Sequence, residues 1–200
     1  MDVTTLTYGN IISILWLVWL IYWMVSALVV KNTQQRESSS SRIAHWLPVL
    51  VGAWLLAAPL VPFGFLSSPR LPYLPLRFQI AVLLVATGLA FSCWARIHIG
   101  RNWSGSVTIK EGHELIRTGP YAYVRHPIYT GLLVAMAGSA LAVGEPRALL
   151  GWFLVLYAFV RKLRIEESFM RQQFGERYEA YCAEVPMLAP FTAARRSAPR

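Results

Sequence analysis

An all-α integral membrane bundle is the fold class this sequence predicts, and three observations predict it. Apolar residues come in long uncharged runs, not at the spacing of an amphipathic surface helix. Hydrophobic residues make up 56% of the 200-residue chain and charged residues 14%, against about a quarter charged in soluble domains. The basic residues stand between the runs rather than within them. The length suits a single membrane domain, residues 1–200.

Taken in order, Ile11 to Val30 carries no charge and is long enough to cross a hydrocarbon core of about 30 Å as a helix. Trp16, Trp19, Tyr22 and Trp23 make it aromatic-rich. Asp2 precedes it and no Lys or Arg occurs before Lys31, so it reads as a retained anchor and not a signal peptide. Lys31 to His45 is polar and serine-rich, a flexible loop by composition. Trp46 to Leu66 is uncharged again, but Pro48, Pro59, Pro62 and Gly64 predict a kinked or broken span. After a short turn ending at Pro72, Phe78 to Ala95 supplies the third span, so residues 1–95 hold three.

Arg96 to Arg125 is mixed polar and punctuated by Gly100, Gly105, Gly112 and Gly119, an interfacial, loop-rich segment. Ile128 to Gly144 is apolar and rich in small residues. Glu145-Pro146-Arg147 reads as a tight turn and Ala148 to Val160 runs back, which makes a helical hairpin. The second arm is short and crosses by continuing past Arg161 and Lys162, whose side chains would snorkel. A charged helix then runs to about Phe174, with Gly175 as its stop.

Five crossings put the two ends on opposite sides. The loops 31–45 and 96–125 then share a face with the tail from Arg161, and that face holds every Lys and Arg except Arg70, Arg77 and Arg147. The positive-inside rule makes this face and the C-terminus cytoplasmic and the N-terminus external, in the plasma membrane if the chain is bacterial. The net charge of +9 reads as attraction to anionic membrane lipids. It does not point to nucleic acid, for which the chain has no recognisable module. Cys93 lies in an apolar run and Cys182 in the charged tail, so no disulfide framework is implied. His45 and His98 read as interfacial residues without a second ligand at metal spacing, so no metal site is expected.

Two clusters carry chemistry, both on the cytoplasmic face. The first runs from His113 to Gly131. Within it Pro127 suits the first turn of a helix. His126 is then the cap, and the helix start is a natural seat for a carboxylate. Tyr129 projects from the first turn, and Gly131 removes a side chain where a ligand or another helix approaches. The second cluster is Arg161 to Glu167. Glu167 can meet Arg164 or Arg171 at helical spacing, and Glu166 falls near Lys162 and Met170.

The pattern His113-x-Leu115-Ile116-x-x-Gly119-Pro120-Tyr121-x-x-x-Arg125-His126-Pro127-x-Tyr129-x-Gly131 is followed by Glu166-Glu167 and by Phe174-Gly175-x-x-Tyr178-x-x-Tyr181. This combination resembles the isoprenylcysteine carboxyl methyltransferase family and the related phospholipid N-methyltransferases. It covers roughly Gly100 to Phe191, whereas the first three spans carry no such match. The resemblance implies an S-adenosylmethionine-dependent methyltransferase acting on an amphiphilic, lipid-like or prenylated acceptor, with S-adenosylhomocysteine as product. Residues 96–200 would form the catalytic portion, the tail enclosing a cytoplasmic cofactor pocket. The motif residues His113, Leu115, Gly119, Tyr121, His126, Pro127, Tyr129 and Gly131 would form that pocket. Glu166 and Glu167 would hold the cofactor's amino-acid end, and Arg125 and Glu167 would stand near the reacting centre. A helix start suits the cofactor's carboxylate, a glutamate its ammonium, and tyrosine rings its adenine or sulfonium.

Other readings stand beside this one. Gly131, Ala135 and Gly138 also permit close helix packing. The acceptor could be a phospholipid ethanolamine. Membrane sterol reductases, which use a nicotinamide cofactor, bear a related C-terminal pattern but are longer with more spans. A non-catalytic membrane scaffold is the remaining class.

Overall fold

A computed structural model describes residues 3–28, 39–57, 64–68, 71–72, 74–100, 103 and 115–190. Among these, all regular structure is helical: α1 (Val3–Ala27), α2 (Ser39–Ala57), α3 (Pro75–Ile99), α4 (Pro127–Val143), α5 (Pro146–Phe174) and α6 (Glu176–Glu184). Single 3-10 turns lie at Gly64–Ser67 and Gly119–Ala122. Proline opens α3, α4 and α5, where its missing N–H has no intrahelical partner to lose. The segments Thr7–Ala27 and Pro75–Ile99 are long and apolar enough to cross a membrane, and Ala44–Ala57 and Pro127–Val143 are shorter apolar helices.

Helices pair through their smallest residues. A Cβ on Gly131 of α4 would stand 2.4 Å from the carbonyl oxygen of Gly88 on α3, and one on Gly88 2.5 Å from that of Gly131. Neither position admits a side chain at this separation. The α2–α5 pair uses Gly52 and Gly151 in the same way, at 2.6 and 2.5 Å. Lipid tails are as apolar as leucine, so helices in a bilayer associate by close packing and interhelical hydrogen bonds instead of by water exclusion. The hydrogen bonds are present for α1: Trp16 Nε1 donates to Ser139 Oγ at 3.0 Å and Trp19 Nε1 to Ser92 Oγ at 3.3 Å. The rest of α1 turns Ile14, Leu17, Val18 and Ile21 outward.

The hairpin expected after His126 is present, with α5 a single helix through Arg161 and Lys162 that ends at Gly175. Gly175 has φ 52°, a conformation that costs glycine little. Three expectations are corrected. The loop read over Lys31–His45 is helical over its described part, Ser39 to His45. His45, expected at the interface, is buried with Nδ1 3.3 Å from the Ala158 carbonyl of α5. The polar segment read from Arg96 begins only after α3 ends at Ile99. Arg96 is buried, donating to the carbonyls of Gly100 (2.8 Å) and Ser26 (2.6 Å) and lying over the Trp103 ring. It thus ties together the C-terminal ends of α1 and α3, where carbonyls lack helical partners. The second span is helical through Ala57; Pro59 and Pro62, expected to kink or break it, lie outside the described residues. Pro48 lies inside the helix.

Candidate functional site

The start of α4 and the exit of α5 meet at one end of the bundle. His126 occupies the cap position of α4 but makes no side-chain capping bond. Its ring turns across to α5 instead. Nε2 lies 3.2 Å from Glu167 Oε1, and a carboxylate only accepts, so Nε2 carries the hydrogen. Nδ1 stands 3.9 Å from Glu166 Oε2.

The two adjacent glutamates have different surroundings. The Glu167 side chain is 3% exposed and that of Glu166 22%. Glu167 accepts from Arg125 Nε at 2.8 Å and lies 2.7 Å from Arg125 Nη2, with Arg171 Nη2 at 3.4 Å. Burial alone would raise its pKa, but hydrogen bonds from His126 and Arg125, and their charges, outweigh it and hold the carboxyl at about 2. Arg125 is equally committed, its Nη1 donating to the carbonyls of Val185 and Cys182. Glu166 accepts from the Tyr129 hydroxyl at 3.0 Å, and Lys162 Nζ lies 3.8 Å from the same oxygen and 5.7 Å from the Tyr129 ring centre. Phe159 packs edge-on against Tyr129, centroids 4.9 Å apart.

The tail covers this group. Backbone N–H groups of Arg125 and His126 donate to the carbonyls of Pro186 (2.8 Å) and Met187 (3.1 Å), and Thr130 Oγ1 donates to Leu188 at 2.8 Å. Arg117 pairs with Glu184. The Tyr181 hydroxyl donates to the Tyr121 carbonyl at 2.6 Å, which ties α6 to the 3-10 turn. Burial raises the hydroxyls of Tyr178 and Tyr181 above the ordinary range, so both stay neutral.

Of the residues singled out by sequence, Arg125, His126, Tyr129, Glu166 and Glu167 come together here. Pro127 is the buried first residue of α4. Leu115 packs with Tyr178, Tyr181 and Val185 under the tail. Gly119, at φ 60°, lies over the His98 ring, where a Cβ would meet Cε1 at 2.7 Å. Tyr121 is buried beside Ala95 and Ile128. Gly131 faces α3. His113 lies outside the described residues. Lys162, expected to snorkel, is instead 8% exposed and turned inward; the nearness to Glu166 expected from helical spacing is present, at 3.8 Å. Sequence reasoning missed the carbonyls of Pro186 to Leu188 as the tail's part in the site.

The residues present fit an amino-acid group. The uncapped start of α4 favours an anion. Glu166 supplies a partly exposed carboxylate for an ammonium, and Tyr129 adds an aromatic face.

A family model described as phospholipid methyltransferase matches residues 76–177. The protein-S-isoprenylcysteine O-methyltransferase of Schizosaccharomyces pombe is 31% identical over 159 residues, covering 74% of this chain and 67% of that protein. A probable protein-S-isoprenylcysteine O-methyltransferase of Oryza sativa subsp. japonica is 32% identical over 115 residues, 56% of this chain and 60% of that one. The solved eukaryotic intramembrane Ras methyltransferase, isoprenylcysteine carboxyl methyltransferase, aligns with TM-score 0.51 and 22% identity over 78% of this chain and 53% of its own. The fold is therefore that of an intramembrane methyltransferase. The chain belongs to the isoprenylcysteine carboxyl methyltransferase family. It spans between about half and two thirds of the length of these relatives.

Proposed function

We propose that this protein transfers a methyl group from S-adenosylmethionine to the carboxylate of an amphiphilic, prenyl-bearing acceptor at the cytoplasmic face of a membrane. The observation that carries this reading is the meeting of His126 and Tyr129, from the start of α4, with Glu166 and Glu167, from the exit of α5, in a chain of this family. Five crossings, α1 to α4 and the apolar arm of α5, would place the N-terminus outside and the pocket inside. The basic loops and tail support that orientation.

When bound, S-adenosylmethionine supplies a methyl group made electrophilic by its sulfonium. Glu166 holds the ammonium of its amino-acid end, and the start of α4 receives the carboxylate. Tyr129 and Phe159 wall the pocket against water. Glu167 is a positioning residue on this reading: with Arg125 it fixes the His126 ring and pins the tail over the site. The acceptor enters sideways from the bilayer between helices. A carboxylate acceptor needs no general base, so the rate enhancement rests on alignment and water exclusion, worth about 7–11 kcal/mol in well-oriented reactions.

Phospholipid N-methylation is the second reading, supported by the description of the matching family model. An ammonium acceptor would have to lose a proton, for which Glu166 is the nearest partly exposed base. Purified protein in vesicles containing phosphatidylethanolamine and an N-acetyl-S-prenylcysteine, supplied with methyl-labelled S-adenosylmethionine, separates the two. The expected product is a base-labile methyl ester. Label confined to the ethanolamine headgroup would reject the carboxylate reading.

A further inference from the structure

We propose that residues 186–188 form a strap that gates entry and exit of the cofactor, and that the Thr130 hydroxyl is its latch. The proposal rests on the methyltransferase reading above and adds how that site opens and closes.

Three observations carry it. The first is register. Three successive carbonyls of the tail each meet a donor at the start of α4. Pro186 accepts from the Arg125 N–H at 2.8 Å, Met187 from the His126 N–H at 3.1 Å, and Leu188 from the Thr130 hydroxyl at 2.8 Å. The Leu188 side chain packs on Leu133, Val155 and Phe159, the cluster that also receives Tyr129. The segment therefore crosses the residues assigned to the cofactor, and it is not itself helical.

The second is enclosure. The His126 and Glu166 side chains are 12% and 22% exposed, so a cofactor of nucleoside size reaches both only when a covering part moves. The helices are not that part. α4 is locked to α3 at Gly131 and Gly88, and α5 to α2 at Gly151 and Gly52, where the backbones stand too close for a side chain. Lids are drawn from the least stable segments of a fold, and a short irregular stretch held mainly by hydrogen bonds is such a segment. Arg125 fixes its base, Nη1 donating to the Cys182 and Val185 carbonyls, so the movement is confined to the residues beyond.

The third is Thr130 itself. Its Oγ1 stands 2.8 Å from the Leu188 carbonyl and 3.2 Å from the His126 carbonyl one turn back in its own helix. A hydroxyl has one hydrogen to donate, so it serves one carbonyl at a time. When the strap lifts, the O–H turns to His126, a bond that threonine makes within helices. Both positions leave the donor satisfied, which gives the latch two settled states. The gate acts on one substrate alone, because the cofactor arrives from the aqueous side over which the tail lies and the acceptor from the bilayer.

The test measures association and dissociation rates of S-adenosylhomocysteine by surface plasmon resonance, with the full chain in lipid nanodiscs. T130V keeps the side-chain shape and removes the hydroxyl. It should raise both rates by roughly threefold to tenfold, the scale of one neutral hydrogen bond, and leave their ratio nearly constant. T130S should return both to the wild-type values. L188A removes the apolar anchor, should also raise both, and carries the test if T130V does not fold. Affinity for an N-acetyl-S-prenylcysteine should be the same in every variant. Unchanged rates in T130V and L188A overturn the strap. A rise in dissociation alone, with affinity lost, makes Thr130 a support of the bound cofactor and overturns the gate, as does an equal loss of acceptor affinity. If the wild type binds no S-adenosylhomocysteine and methylates nothing, the methyltransferase reading fails and the strap with it.

Discussion

His126 Nε2 donates to Glu167 at 3.2 Å while its other ring nitrogen faces Glu166 at 3.9 Å. One imidazole thus spans two neighbouring carboxylates, one sealed and one open. The two members of the Glu-Glu pair therefore differ in setting: Glu167 is enclosed by Arg125 and Arg171, and Glu166 keeps a partly exposed edge.

The buried member should make stability depend on acid pH. The Glu167 pKa is about 2 against an ordinary 4.5. A carboxyl lowered by folding contributes its stabilisation above its unfolded pKa and loses it as pH falls through the folded one. Roughly 3 kcal/mol should therefore be lost between about pH 4.5 and 2. Thermal melts in detergent across this range check it. E167Q should melt lower at neutral pH, with a flatter dependence below pH 4.5, and it should lose most turnover while remaining helical by circular dichroism. Parallel wild-type and E167Q curves would contradict the assignment.

The open member should act on affinity. E166Q removes a charge from a partly exposed side chain, so little stability is expected to change. S-adenosylhomocysteine should bind roughly tenfold to a hundredfold more weakly, the scale of a hydrogen bond between charged groups. Isothermal titration measures it, and unaltered affinity would show that the amino-acid end sits elsewhere.

Arg125 should not be replaceable by lysine. Its guanidinium joins Glu167 to two carbonyls of the tail, a spread that one ammonium does not reproduce. R125K is expected to loosen the tail by roughly 1–3 kcal/mol. Limited proteolysis near Val185 to Ala189 should speed up, and turnover should fall in step with it.

Gly131 offers a test of packing against lining. A methyl group there meets the Gly88 carbonyl oxygen at 2.4 Å. G131A should destabilise the bundle by about 1–3 kcal/mol, read as a lower melting temperature. Weaker cofactor binding at full stability would instead give Gly131 a place in the pocket.

Much of this was legible beforehand. Proline at the first turn of α4 and α5, glycine after Phe174, and the turn at Glu145-Pro146-Arg147 are local signals, and the hairpin follows them. The same motifs named His126, Tyr129, Glu166 and Glu167 together. The helix over Ser39–His45 was hidden, because a polar, serine-rich composition does not show which residues join a helix that packs against α5. Arg96 and His45 looked interfacial because composition does not reveal that a carbonyl of another helix waits for each.

Sequence by itself determined which stretches are apolar spans, where the hairpin turns, and which residue types gather at its polar end. Tertiary structure decided which of them face one another. Successive residues on a helix point about 100° apart, so adjacent Glu166 and Glu167 necessarily diverge. Only the packing of the start of α4 against α5 settles that Glu167 meets Arg125 in a buried position, while Glu166 stays partly exposed beside Tyr129 and Lys162.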